Sequence, residues 1–193
     1  MMKQFSEMIA CRLKESISAK EAVLADLATI EVIALAMTRC LKAGKRIYFF
    51  GNGGSAADAQ HLAAELVSRF YLERKGLPAE ALTTNTSVMT AIGNDYSFDR
   101  IFARQIEASG ADGDIAFGIS TSGNSPNVLE AMKAAKEKGM IRVGFTGAGG
   151  GRLKEFTDHC FCAPSGNTPR IQEVHITVGH ILCEIVEKEI FGH

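Results

Sequence analysis

The chain has 193 residues, of which 46% are hydrophobic and 22% charged, and this composition suits a globular protein with a buried core. Lys and Arg number 21 against 22 Asp and Glu, so the chain lacks the excess positive charge that binding a nucleic acid over a long footprint requires. Residues 1–24 carry charges every few positions, which excludes a signal peptide's apolar core and a membrane span. We therefore expect one domain, 1–193, in the cytoplasm, with no nucleic-acid or membrane partner.

Five cysteines are scattered along the chain, and an odd number in this pattern argues against a secreted disulfide framework. Cys160 and Cys162 are two residues apart, a spacing that could serve a pair of metal ligands. However, they fall in a short apolar run typical of a strand, so we interpret them as two buried thiols.

Helical and strand-like segments alternate after an all-helical start. Apolar residues spaced by three and four predict amphipathic helices over 5–19 and 21–43. Apolar runs predict strands, and the segments between and after them predict helices, the last beginning near Pro169. Such alternation predicts an α/β protein with three layers, a doubly wound, five-stranded parallel sheet and a long C-terminal helix. The predicted strands are 46–50, 80–84, 114–120, 142–146 and 159–163; the further predicted helices are 55–70, 98–108, 126–138 and 169–190.

The loop after the third predicted strand is rich in hydroxyl groups. Its residues, 120–125, read STSGNS, and Pro126 then begins a helix. A helix N-terminus offers unpaired N–H groups and the positive end of a dipole, so hydroxyls at this place favour a phosphate monoester. The alternative is that Ser125 caps the helix and the other hydroxyls satisfy a tight turn.

A glycine-rich loop, GNGGS at 51–55, follows the first predicted strand. The dinucleotide fingerprint would need glycine at position 56, where the chain has Ala56, so a nicotinamide cofactor is disfavoured. A tight turn capped by Ser55 remains an alternative to a ligand site. A third loop, Gly149–Gly151, has no hydroxyl cluster and is interpreted as a flexible turn.

Two helices carry polar residues among apolar ones. His61 and Glu65 are four residues apart, so they share one face of a predicted helix. The last helix carries His175 and His180, and spacing alone does not choose between them. A solvent-exposed pair and a satisfied core histidine are the alternatives to a functional role.

Four segments together resemble the phosphoheptose isomerases, members of the sugar isomerase (SIS) domain family: GNGGSAADAQHLAAELVSRF, LTTNTSVMTAIGNDYSFDRIFARQ, GISTSGNSPNVLEA and TPRIQEVHITVGHILCEIVE. The resemblance covers nearly the whole chain and is weakest over the first 40 residues. It implies a flavodoxin-like SIS fold and an aldose–ketose isomerase. The implied reaction converts sedoheptulose 7-phosphate to glycero-manno-heptose 7-phosphate, the first step toward the ADP-heptose of lipopolysaccharide. It also implies a homotetramer with active sites shared between subunits, in which the helices of residues 1–43 take part in subunit packing.

By the same resemblance, Glu65 is the base at carbon and His180 the acid/base at the oxygens. One zinc ion per subunit is implied, held by His61, Glu65, Gln172 and His180. A carboxylate bound to zinc is a weaker base than a free one, so Glu65 has two competing roles. The roles of His175, Arg69 and Arg170 stay open. The substrate contacts that the resemblance implies are Asn52, Gly53, Gly54, Ser55, Glu65, Asn94, Asp95, Ser120, Thr121, Ser122, Ser125 and Gln172.

Two other classes of protein share this fold. One is a non-catalytic SIS-domain protein that binds the bacterial replication initiator, and the other is a phosphosugar-sensing regulator. A binding module has no need of an acid/base pair beside a phosphate pocket, so Glu65 and His180 favour the enzyme. The regulator is disfavoured because neither the first 43 residues nor the charge balance offers a DNA-binding domain.

Overall fold

A computed structural model describes residues 2–192, with side chains from residue 4 onward. Met1 and His193, the ends of the expected domain 1–193, lie outside the described residues. Within 2–192, no helix combines the length and the hydropathy that crossing a bilayer requires.

Five parallel strands form one sheet in the order β2-β1-β3-β4-β5. This is the flavodoxin-like order, in which the direction of winding reverses between β1 and β3. The prediction of a doubly wound, five-stranded parallel sheet is confirmed. The strands are β1 (Ile47–Gly51), β2 (Ala79–Ala81), β3 (Ile115–Ile119), β4 (Ile141–Gly147) and β5 (His159–Ala163).

Seven α-helices accompany the sheet among the described residues. The predicted N-terminal helices and the long C-terminal helix are present. Short 3-10 helices occupy Ala22–Asp26, Phe98–Arg100 and Arg152–Phe156. The α-helices are α1 (Met2–Glu21), α2 (Leu27–Lys42), α3 (Gly54–Val67), α4 (Thr86–Asp95), α5 (Ala103–Ser109), α6 (Pro126–Glu137) and α7 (Thr168–Phe191).

Each face of the sheet has its own core, because successive side chains of a strand point to opposite faces. On one face, α2, α3 and α7 pack over a row of phenylalanines whose neighbouring ring centroids are 4.8 to 5.2 Å apart. On the other face, α4, α5 and α6 pack over Tyr48 and Phe50. The central strands β1 and β3 are buried throughout, as expected for strands covered on both faces. The row consists of Phe49, Phe117, Phe145 and Phe161.

Helix α4 was not predicted. Its sequence, TSVMTAIGND, ends in an Asn-Asp pair that is typical of a turn. The structure gives it an N-cap, since the Asn85 side chain accepts a hydrogen bond from the backbone N–H of Val88 at 3.0 Å.

The interpretation of Cys160 and Cys162 as two buried thiols was wrong, because both are only half-buried. Their neighbours Phe161 and Ala163 take the core-facing positions of β5, which places the two cysteines on the opposite face. Burial nevertheless raises the pKa of the Cys160 thiol to about 12.

Candidate active site

The winding of the sheet reverses between β1 and β3, the place where doubly wound sheets generally bind ligands. The chain leaves β1 for α3 on one face and leaves β3 for α6 on the other, so the GNGGS and STSGNS loops flank the gap between adjacent strands. Two side-chain amides join the loops. Asn52 Nδ2 donates to Asn127 Oδ1 at 2.9 Å, and Asn127 Nδ2 donates to Asn52 Oδ1 at 2.8 Å. Asn127 is buried, and the sequence analysis did not select it.

The hydroxyls of the STSGNS loop converge. Ser120 Oγ lies 2.9 Å from Ser125 Oγ and 3.5 Å from Ser122 Oγ. Ser122 Oγ also accepts from the backbone N–H of Asn124 at 3.1 Å. Thr121 is half-buried beside them. The predicted cluster of hydroxyl groups therefore forms from residues of a single subunit.

The alternative in which Ser125 caps α6 was wrong, because its side chain makes no cap hydrogen bond. The end of α6 is also a weak source of donors. Pro126 has no N–H, and two of the next three amides, those of Val128 and Leu129, donate to Ser125 O. An anion at this loop would therefore depend on hydroxyls more than on the helix end.

The third glycine loop is more than the flexible turn we expected. Leu153 N donates to Gly123 O at 2.8 Å, and Arg152 N donates to Asn124 Oδ1 at 3.1 Å. Gly123 has a φ of 65°, and a Cβ there would lie 2.8 Å from Thr146 Oγ1. Glycine at 123 thus lets the segment after β4 pack directly on the hydroxyl loop and support it.

Helix α3 begins in the GNGGS loop with Gly53 as its N-cap, and Ser55 is buried in its first turn. The alternative in which Ser55 caps the helix was therefore wrong. Gly53 takes a φ of 56°, and Gly54 faces the Gln172 side chain of α7, since a Cβ at 54 would lie 2.9 Å from Gln172 Cδ. Gln172 thus lies beside the loop at the start of α3.

Farther along α3, three side chains meet between α3 and α7. His61 Nε2 lies 3.0 Å from Glu65 Oε1 and 3.0 Å from His180 Nε2. The close approach depends on Gly179, since a Cβ there would lie 2.6 Å from a methyl group of Leu62. The structure therefore brings together three of the residues selected from the sequence.

These three residues fit a divalent metal ion. One ligand atom from each of His61, Glu65 and His180 lies within 4.8 Å of the others. Two imidazoles and one carboxylate are a usual donor set for catalytic zinc, which keeps a further position open. Gln172 and His180 are eight residues apart on α7, which separates their Cα atoms by about 12 Å. The role of Gln172 as a fourth ligand stays a prediction.

Other selected residues have their recorded partners outside the cluster. Asn94 and Asp95 are exposed at the end of α4, where Asn94 Nδ2 donates to Asp95 Oδ1 at 2.8 Å. Arg69 is exposed and lies 3.8 Å from Glu73. Arg170 lies 2.6 Å from Glu173 and donates to the Arg12 carbonyl, so it joins α1 to α7.

His175 is 1% exposed, and its Nε2 lies 2.9 Å from Thr146 O. Burial lowers its pKa to about 4, so the ring is neutral near pH 7 and Nε2 donates to that carbonyl. Its Nδ1 is buried without a partner. This geometry gives His175 a structural role at the end of β4.

The sheet order and the hydroxyl loop at the switch point define an SIS-domain protein, and the SIS domain family model matches residues 13–147. Among curated relatives, the phosphoheptose isomerase of Aneurinibacillus thermoaerophilus is 52% identical and phosphoheptose isomerase 2 of Campylobacter jejuni is 50% identical; each match covers at least 96% of both chains. The solved phosphoheptose isomerase of Neisseria gonorrhoeae superposes with a TM-score of 0.91 at 44% identity, over 95% of this chain and 99% of that one. The chain belongs to the phosphoheptose isomerase family of SIS-domain proteins.

Proposed function

We propose that the chain is an aldose–ketose isomerase that interconverts sedoheptulose 7-phosphate and glycero-manno-heptose 7-phosphate. The observation that carries the proposal is that His61 and Glu65 of α3, a helix that begins at the GNGGS loop, meet His180 of α7. Asn52 of that loop is hydrogen-bonded to Asn127, two residues after the hydroxyl loop. Relatives named phosphoheptose isomerase, about half identical over nearly the whole chain, support this substrate over the replication-initiator partner.

The distance along α3 from Ser55 to the cluster is close to the length of the substrate. Ser55, expected at the phosphate, precedes His61 by six residues and Glu65 by ten, which is about 9 and 15 Å along the helix. Helical side chains lean toward the N-terminus, which shortens the second distance. With C–C bonds of about 1.5 Å, an extended seven-carbon chain with its phosphate spans about 10 Å. A phosphate beside Ser55 would thus put C1 and C2 near the cluster.

In the proposed reaction Glu65 removes a proton from C1 of the ketose. The electrons of that C–H bond form the C1–C2 double bond, and the C2 carbonyl oxygen takes up the displaced electron pair. His180 delivers a proton to O2 and takes the O1 proton. The electrons of the O1–H bond form the C1 carbonyl, and the electrons of the C1–C2 double bond take up the proton that Glu65 returns to C2. The Ser120, Ser122 and Ser125 hydroxyls hold the phosphate throughout. A zinc ion held by His61, Glu65 and His180 would supply Lewis-acid stabilisation of charge on the sugar oxygens.

The decisive experiment compares wild-type protein with Glu65→Gln on sedoheptulose 7-phosphate, with zinc supplied and with a chelator. We expect wild-type turnover, a loss of at least about a thousandfold in kcat for the variant, and retained binding of the phosphosugar in calorimetry. The matched control is Glu73→Gln, which alters an exposed carboxylate beyond the end of α3. Wild-type protein that does not turn over this substrate with zinc would end the proposal.

The proposal includes a homotetramer with active sites shared between subunits, in the cytoplasm. One face of α1 supports an assembly, because five of its apolar side chains are each more than half exposed. Leu13→Glu should shift the mass measured by light scattering toward smaller species, whereas Lys14→Glu, its neighbour on the helix, should not. The five residues are Phe5, Met8, Ile9, Leu13 and Ile17.

A further inference from the structure

A buried ion pair lies directly beyond the His61–Glu65–His180 cluster. Arg74 Nε and Glu187 Oε1 are 2.8 Å apart, and each side chain is 2% exposed. The reaction proposed above uses neither residue. An arginine and a glutamate are rarely buried so completely, and burying such a pair is seldom favourable for stability alone, so its presence calls for a specific reason.

Glu187 binds the segment that follows α3. Its two oxygens accept hydrogen bonds from three consecutive backbone amides, of Phe70 at 2.9 Å, Tyr71 at 2.7 Å and Leu72 at 2.8 Å. The ring of Phe70 lies against His180, with the ring centroids 5.8 Å apart. Glu187 is seven residues after His180, so both residues project from the same side of α7. Glu187 therefore fixes a segment that packs on His180.

Arg74 binds the end of α3 itself. Its Nη2 donates to Glu65 O at 2.9 Å, and its Nη1 donates to Leu66 O at 2.7 Å and to Ser68 O at 3.2 Å. Carbonyls in the last turn of a helix have no partner within the helix, and α3 ends at Val67. The guanidinium therefore ties the backbone of Glu65 to a carboxylate on α7.

We propose that Arg74 and Glu187 are positioning residues that hold the end of α3 against α7, so that Glu65 and His61 stay in register with His180. The role in turnover rests on the proposed isomerase function, whereas the geometric role does not. Loss of the pair should loosen the cluster and leave intact the GNGGS loop, at the opposite end of α3, and the hydroxyl loop joined to it through Asn52 and Asn127. Mutation of residues that orient metal ligands without touching the metal commonly lowers metal affinity or activity by about 10- to 100-fold.

The test uses Glu187→Gln, which keeps the shape but removes the charge, and Arg74→Lys, which keeps a charge but has one nitrogen in place of three. The control is Lys188→Met, which breaks the exposed Lys188–Glu184 pair one residue farther along α7. Each variant is assayed for kcat and KM, and its affinity for zinc alone is measured by competition with a chelating dye. Crystal structures of the variants then give the His61–Glu65–His180 distances.

For folded Glu187→Gln or Arg74→Lys we expect kcat to fall at least about tenfold with KM within about twofold, and zinc affinity to fall at least about tenfold. The control should match the wild type. A folded variant with wild-type kcat, zinc affinity and cluster distances would overturn the proposal, as would a raised KM with unchanged kcat. If the wild-type protein proves inactive on the heptose phosphate, the proposed function fails, while the cluster distances still decide the positioning role. Arg74→Lys carries the test if Glu187→Gln does not fold.

Discussion

His175 should make the protein less stable in acid by a calculable amount. The unfolded chain binds a proton at this imidazole with a pKa near 6.5, whereas burial lowers the folded-state pKa to about 4. Between these values the unfolded state binds more protons than the folded state, so the free energy of unfolding falls as the pH falls. The two pKa values give a loss of about 2 kcal/mol between pH 7.5 and 5, approaching about 3 kcal/mol below pH 4.

The assay compares wild-type protein with His175→Gln by urea unfolding at pH 7.5 and at pH 5. Protein concentration is held constant and a chelator is present, so that neither subunit association nor bound metal adds its own pH dependence. The Gln amide can donate to Thr146 O as the ring does but does not titrate. We expect the variant to be less stable at pH 7.5 and the gap to close by about 2 kcal/mol at pH 5. A gap that stays constant between the two pH values would refute a neutral buried imidazole.

Three further outcomes follow from the packing and the charges. Gly179→Ala should lower the free energy of unfolding by about 1–3 kcal/mol, because its Cβ would lie 2.6 Å from Leu62, and Leu62→Ala in the same chain should restore part of it in urea unfolding. Gly123→Ala should raise KM for the phosphosugar more than it lowers kcat, because its φ of 65° and the carbonyl of Gly150 leave no room for a Cβ beside the hydroxyl loop; steady-state kinetics measures both. Hydrogen bonds from three backbone amides and from a guanidinium lower the pKa of Glu187 to about 2, so it stabilises the fold above about pH 4.5 and loses that effect as the pH falls toward 2; replacing it with Gln should flatten this part of an acid-unfolding curve.

The sheet could be predicted because its strands are short apolar runs followed by glycine or hydroxyl residues, and parallel strands buried on both faces need that pattern. The boundaries were less accurate at the edge, where β2 is three residues long and starts one residue before the expected 80–84. An edge strand needs few apolar residues, so the sequence gives little indication of where β2 begins and ends. Helix α4 was missed for a related reason, because residues with little helical preference form it and its cap is the main local signal.

Sequence spacing could not show which of the two histidines of α7 faces α3, whereas the structure does. They are five residues apart, so they point about 140° away from each other around the helix. His175 faces the sheet and the aromatic row, with its ring centroid 5.3 Å from that of Phe145. His180 faces α3 and meets His61. The sequence indicates that the two side chains point in different directions, but it does not indicate on which side of α7 helix α3 lies. Spacing alone therefore could not select His180 over His175.

The Arg74–Glu187 pair was beyond prediction because its partners are 113 residues apart and charged residues are ordinarily on the surface. The position of the pair shows how both ends of α3 are held in place. The first turn of α3 is fixed by the GNGGS loop and the Asn52–Asn127 amides, and its last turn by the guanidinium of Arg74. A helix of 14 residues is about 21 Å long and rigid over that length. Fixing both ends therefore sets the distance along α3 from Ser55 to Glu65, about 15 Å, and in the reaction we propose this distance limits the length of the substrate that fits.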